Sequence, residues 1–160
     1  MEDHYQWYAT FESAYGTNIY GASTFDGEIT GNKVTISGRP VFKFNDPDKN
    51  IKIYGGYVDN AGNVTGNSVE INGDMKFTES LEIYGGYGGT GAVTGNSVTI
   101  SGRPIFAADS VIYGGYSASG GEVSGNILNI KSTDITVSNI KNFDVYNFYL
   151  PILCRLVMCC

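Results

Sequence analysis

The first 153 residues contain no cysteine; Cys154, Cys159 and Cys160 all lie at the very end of the 160-residue chain. A disulfide framework for the body is therefore excluded. A C-x4-C-C spacing with no second pair of ligands, and with the single histidine, His4, at the opposite end, is not that of a zinc site. Positive charge is also scarce. Ten Lys and Arg stand against sixteen Asp and Glu, giving a net charge of -6, and the basic residues are scattered, so no stripe is available to neutralise a phosphate backbone. Nucleic acid is not an expected partner. No apolar run reaches the roughly 18 to 20 residues of a spanning helix, so no membrane span is expected in this chain. The opening MEDHYQWYATFESAYG is acidic and aromatic rather than basic and then apolar, so no secretory signal is expected in it.

What is abundant is glycine (22) and tyrosine (12), set among Val, Ile and Thr with only four prolines. That composition predicts many short strands joined by tight turns, an all-β chain. The strands recur. Ile19-Tyr20-Gly21-Ala22 returns as Ile53-Tyr54-Gly55-Gly56, Ile83-Tyr84-Gly85-Gly86 and Ile112-Tyr113-Gly114-Gly115, at spacings of 34, 30 and 29 residues. A second marker follows each: Thr30-Gly31-Asn32, Thr65-Gly66-Asn67, Thr94-Gly95-Asn96 and Ser124-Gly125-Asn126.

After each Gly-Asn an aliphatic, polar, aliphatic triplet appears: Val34-Thr35-Ile36, Val69-Glu70-Ile71, Val98-Thr99-Ile100 and Leu128-Asn129-Ile130. This is the period-2 signature of a strand with one buried face. Val64 and Val69 both read as inward yet differ by an odd number of positions, so Gly66-Asn67 must be a corner or bulge that resets the pleat. A third arm ends the first three units: Arg39-Pro40-Val41-Phe42, Asp74-Met75-Lys76-Phe77 and Arg103-Pro104-Ile105-Phe106. Each unit thus reads as three strands: IYGGY, the TGNxVTI arm and the arm ending in Phe.

A three-strand unit of about 30 residues cannot bury its apolar side alone. Stacking solves this, and the predicted fold is a short single-stranded parallel, right-handed β-helix of about four coils, roughly 20 Å tall at the usual strand spacing. The expected segments are an N-terminal cap or irregular stretch over 1–18, repeats over 19–133 (19–52, 53–82, 83–111 and 112–133), a closing strand segment over 134–151 and a hydrophobic, Cys-containing tail, foreign to the array or disordered, over 152–160. Like residues then form ladders. Asn32, Asn67, Asn96 and Asn126 are expected to share one corner, bonding up and down the stack. Tyr20, Tyr54, Tyr84 and Tyr113 are expected to stand outward, opposite the inward isoleucines, and so to be a candidate binding surface for sugars or a protein. Open coil ends expose strand edges, so self-association is expected unless 1–18 and 134–151 cap them.

The repeat changes the meaning of the motifs. Gly86, Gly88 and Gly91 in IYGGYGGTG match G-x-G-x-x-G, but a dinucleotide fingerprint needs a helix after its glycines, and Ala92-Val93-Thr94-Gly95-Asn96 reads as a strand and a corner. No cofactor is expected. Calcium binding in the nonapeptide-repeat manner fails at Ala92, which stands where a carboxylate is required. Asp46, Asp48 and Asp59 read as solvated turn residues, and no metal site is expected. Catalysis on a solenoid needs carboxylates recurring on one face, whereas the Glu70 position is Thr35, Thr99 and Asn129 in the other units; no catalytic residue is expected.

Repeats of the form IYGGY…VTGNSVTISG, closed by Ile140 to Pro151, resemble the passenger regions of bacterial autotransporter proteins, exported β-helices followed by an outer-membrane barrel. The resemblance covers about residues 19 to 149. It implies a cell-surface or secreted location, a non-enzymatic adhesin-like or structural role, and host glycans or surface proteins as partners. With no leader or barrel expected here, the chain reads as a fragment of such a protein. The alternative is a β-helix enzyme acting on polysaccharide, a lyase or glycoside hydrolase.

Overall fold

The computed structural model describes residues 10–13, 16–44 and 50–149. The tail over 152–160 with its three cysteines, together with His4, Asp46 and Asp48, lies outside the described residues.

Every strand pairing is parallel, and no helix occurs among the described residues. Three ribbons of stacked strands wrap a common interior. The long face comprises Thr17–Tyr20, Ile51–Val58, Leu81–Gly88, Val111–Ser117 and Asn139–Lys141, with Ser23–Thr24 completing the first rung. A short face of two-residue strands follows: Ile29–Thr30, Val64–Thr65, Val93–Thr94 and Val123–Ser124. The third face comprises Lys33–Ser37, Ser68–Asn72, Ser97–Ser101, Ile127–Lys131 and Val145–Phe148. The chain is a parallel β-solenoid of about four turns, with Asn139–Lys141 and Val145–Phe148 adding part of a fifth.

Register is that of the repeat. Ile19, Ile53, Ile83, Ile112 and Ile140 lie over one another, and Ile36, Ile71, Ile100 and Ile130 form a second column on the third face. The central members of both columns have no solvent exposure. Fully burying one such side chain stabilises the fold by about 1.5–3 kcal/mol. A second, smaller apolar cluster of Ile29, Val58, Val64 and Val93 fills the turn between the long and short faces.

The division of each unit into strands differs from the sequence expectation. TGNxVTI is two strands, split where Gly31, Gly66, Gly95 and Gly125 adopt φ of 66 to 70°. This left-handed bend turns the chain through a corner at little cost only for glycine. The arm ending in Phe is a strand only at Val41–Phe44, which pairs with Thr10–Ser13; in later coils it shrinks to the single bridge Lys76 to Ile105. Gly73 and Gly102 bend the backbone just before this arm, at φ of 145 and 75°, and Pro104 has no N–H to give a ladder.

Candidate functional site

The Thr-Gly-Asn corner is where the sequence invests most. Asn67, Asn96 and Asn126 have no solvent exposure. Each backbone N–H donates to the side-chain oxygen one coil above: Asn32 to Asn67 at 2.9 Å, Asn67 to Asn96 at 2.9 Å, and Asn96 to Asn126 at 3.0 Å. The amide nitrogens donate upward to the same oxygens at 3.1 to 3.2 Å. Those of Asn67, Asn96 and Asn126 also donate to the carbonyls of Ile29, Val64 and Val93 in the coil below. Only a side chain carrying both a donor and an acceptor can satisfy a buried column of this kind.

The column ends on Asp144, whose Oδ2 accepts from the N–H of Asn126 at 3.1 Å. Asp144 is exposed, and a terminal member needs only to accept, so a carboxylate suffices. Beside it Asn142 is the one non-glycine residue with positive φ (58°) among the described residues. Phe143, 9% exposed, packs against the main core.

The glycines of IYGGY are explained by this column. A Cβ at Gly86 would sit 2.7 Å from Nδ2 of Asn96 and 2.8 Å from Val64, and one at Gly115 would sit 2.8 Å from Nδ2 of Asn126. Gly88 lies at the end of a strand and Gly91 in the bend before the next one, with no helix after them. Gly91 belongs to a further column: a Cβ on it would run into the carbonyl of Gly62, as one on Gly62 would into that of Gly27 and one on Gly121 into that of Gly91. This column has its own sequence signal, a glycine two residues before each Ile/Val-Thr/Ser-Gly-Asn: Gly27, Gly62, Gly91 and Gly121.

The tyrosines stand on the outer side of the long face, as parity requires, but they are not all open to solvent. Tyr20 is 40% exposed, whereas Tyr54 and Tyr84 are 6% and 7% exposed, and Tyr113 is half-buried. Their rings stack in a file with centroids 5.0, 5.0 and 4.8 Å apart and planes within 9°. A second file, Tyr57, Tyr87 and Tyr116, runs beside it at 4.9 and 5.3 Å. Each file braces the other edge-on, as Tyr54 and Tyr57 do at 5.0 Å and 71°. Inner rings therefore have both faces occupied by tyrosines, so a sugar cannot stack on them; ring edges and hydroxyls are what the surface presents. A groove of about 440 Å³ follows the files, with Lys52 and Glu82, paired at 3.1 Å, on its flank.

Burial raises the phenol pKa values of Tyr54, Tyr57 and Tyr84 from the ordinary 10.0; the nearby Tyr20 reinforces this at Tyr54, the Asp59 carboxylate at Tyr57 and the Glu82 carboxylate at Tyr84. Tyr57 donates to Asp59 at 2.8 Å and Tyr84 to Glu82 at 2.7 Å. Since the folded state holds these protons more tightly, their contribution to stability is complete below pH 10 and falls as pH rises beyond it. Denaturation at pH 9 and pH 11.5 is expected to show a lower midpoint at the higher pH. Replacing Tyr84 by Phe is expected to shrink that difference, and an unchanged difference would refute the assignment.

The aligned arginines Arg39 and Arg103 do not come together on neighbouring coils. Arg103 instead binds Asp74 of the coil below, Nη2 to Oδ2 at 2.8 Å, and the guanidinium holds the Asp74 carboxyl below its usual range. A carboxyl so held stays ionised, the opposite of what a general acid requires. Among the described residues no group of three His, Cys, Asp or Glu is placed to hold a metal ion.

Comparison with family models, curated proteins and solved structures gave no match. The class is defined by the fold alone: a short parallel β-solenoid.

Proposed function

We propose that this chain is a non-enzymatic β-solenoid module of a surface-displayed or secreted protein, structural in its core and adhesin-like through its tyrosine face. The observation that carries this reading is the double file of rings on the long face. Seven tyrosines from four coils are held by stacking and edge contacts in one rigid array, so little side-chain entropy is lost when a partner lands on it. The partners that suit hydroxyl-rimmed ring edges beside Lys52 and Glu82 are glycans and protein surfaces, which combine hydrogen-bonding groups with flat apolar patches. The resemblance of the repeats to autotransporter passengers supports the same reading.

The test is binding to arrays of glycans and matrix proteins by the native chain and by a variant with Tyr57→Phe, Tyr87→Phe and Tyr116→Phe. Phe keeps the stacking and removes the hydroxyls, so the fold is expected to persist while affinity for the captured ligand falls by about tenfold or more. Absence of binding throughout, or binding indifferent to the triple substitution, would overturn the role of this face.

A further inference from the structure

The arms ending in Phe leave one strand position unfilled. Ile105 donates to the carbonyl of Met75 at 2.9 Å and accepts from the N–H of Phe77 at 2.9 Å, so both its backbone groups face the coil below. In a parallel ladder alternate residues address opposite neighbours. The carbonyl of Pro104 and both backbone groups of Phe106 therefore face the coil above, where the chain passes through Asp134, Ile135 and Thr136 without forming a strand. The two bonds that join the second and third coils at this arm have no counterpart there.

A groove of about 400 Å³ opens at this edge. The stack of Phe42, Phe77 and Phe106, with 5.7 Å between successive centroids, ends in it, and Ile105, 58% exposed, forms its apolar rim. Its charge is unbalanced. Arg103 is bonded to Asp74 and is within electrostatic reach of Asp134, whose carboxylate, across the groove, has neither a hydrogen bond nor an ion pair, so two carboxylates share one cation.

The geometry points to a peptide-docking site in which an extended segment of a partner protein adds as a strand along Pro104–Phe106, with an aromatic residue continuing the phenylalanine stack and a Lys or Arg meeting Asp134. Strand addition to an exposed edge draws affinity from the main chain and specificity from alternate side chains. The chain's own third arms show what suits the position: Val41-Phe42-Lys43-Phe44 and Met75-Lys76-Phe77 set a basic residue beside phenylalanine. This site is on a different surface from the tyrosine files and does not depend on their role.

The probe is a fluorescent synthetic peptide carrying Val-Phe-Lys-Phe between Gly-Ser flanks, titrated against the full chain by anisotropy. Saturable binding is expected, with amide exchange at Phe106 slowed only when peptide is present. N-methylation of the peptide backbone is expected to weaken binding by about tenfold or more, through loss of a main-chain bond. Asp134→Lys is expected to weaken it by about threefold or more, lessening its salt dependence. Asp134 is exposed, so that variant should fold. No saturable binding, equal binding of the N-methylated peptide, or unchanged exchange at Phe106 would each overturn the proposal.

Discussion

Replacing Asn96 by Ala is expected to lower stability by about 4 kcal/mol and the melting temperature by ~10 °C. The substitution removes the oxygen that accepts the N–H of the fully buried Asn67 at 2.9 Å, and the nitrogen that donates to the carbonyl of Val64 at 3.0 Å. Water cannot easily replace either, because the site lies between the long strand and the corner with Gly86 packed against it. Asn96→Asp separates the two roles. It keeps the acceptor for Asn67 but turns lone pairs and a buried charge toward the carbonyl of Val64 and the oxygen of Asn126. That variant is expected to be as damaging at neutral pH and partly to recover as pH falls and the carboxyl gains a proton, the sign for a carboxyl whose folded pKa is raised. Asp144→Asn, at the exposed end of the same column, is expected to be near neutral. Thermal melts of the three variants, with pH dependence for the Asp form, decide the matter; an Asn96→Ala protein melting with the native one would show that the column contributes little.

The contrast between Asn96 and Asp144 also marks how far the sequence could be read. Columns that repeat as identities were legible: isoleucine inward, asparagine at a corner, tyrosine opposite isoleucine, all follow from two markers recurring in step and from period-2 alternation. Roles that pass to a different residue type were not. Asp144 takes the place of an asparagine because its position needs an acceptor alone, and Phe143 precedes it where the other coils have a glycine, so this corner does not align by identity with the four Gly-Asn pairs. The burial of Tyr54 and Tyr84 was hidden for another reason. Parity assigns a side of the sheet, but the exposure of a ring depends on the neighbouring file, and that file depends on the two glycines before Tyr57, Tyr87 and Tyr116 resetting the pleat. The open edge at Phe106 arises from what the fourth coil fails to form, and Asp134 to Thr136 carry no motif that announces it.

Gly85→Ala is expected to be more destabilising than Gly95→Ala, although Gly95 has the left-handed backbone and Gly85 does not. At Gly95, φ is 66° and a Cβ would meet nothing closer than 4.0 Å, so the cost is the conformational one alone, about 1–2 kcal/mol. At Gly85 a Cβ would collide with the carbonyl of Gly114 and lie 3.2 Å from both Asn96 Cβ and the Ser97 nitrogen. Two of these obstacles are backbone, belonging to the next coil and to the facing corner, so relief requires the coils to separate or the corner to move off the asparagine column. Overpacking against backbone is expected to cost about 3 kcal/mol or more. Loss should also be coupled: because Gly85 and Asn96 share the waist between the two apolar clusters, Gly85→Ala combined with Asn96→Ala is expected to destabilise less than the sum of the two. A double-mutant cycle by denaturant titration measures this directly. Additive losses would mean that the corner yields to a Cβ at Gly85 without disturbing the asparagine column, and the mechanical link between the two would then be wrong.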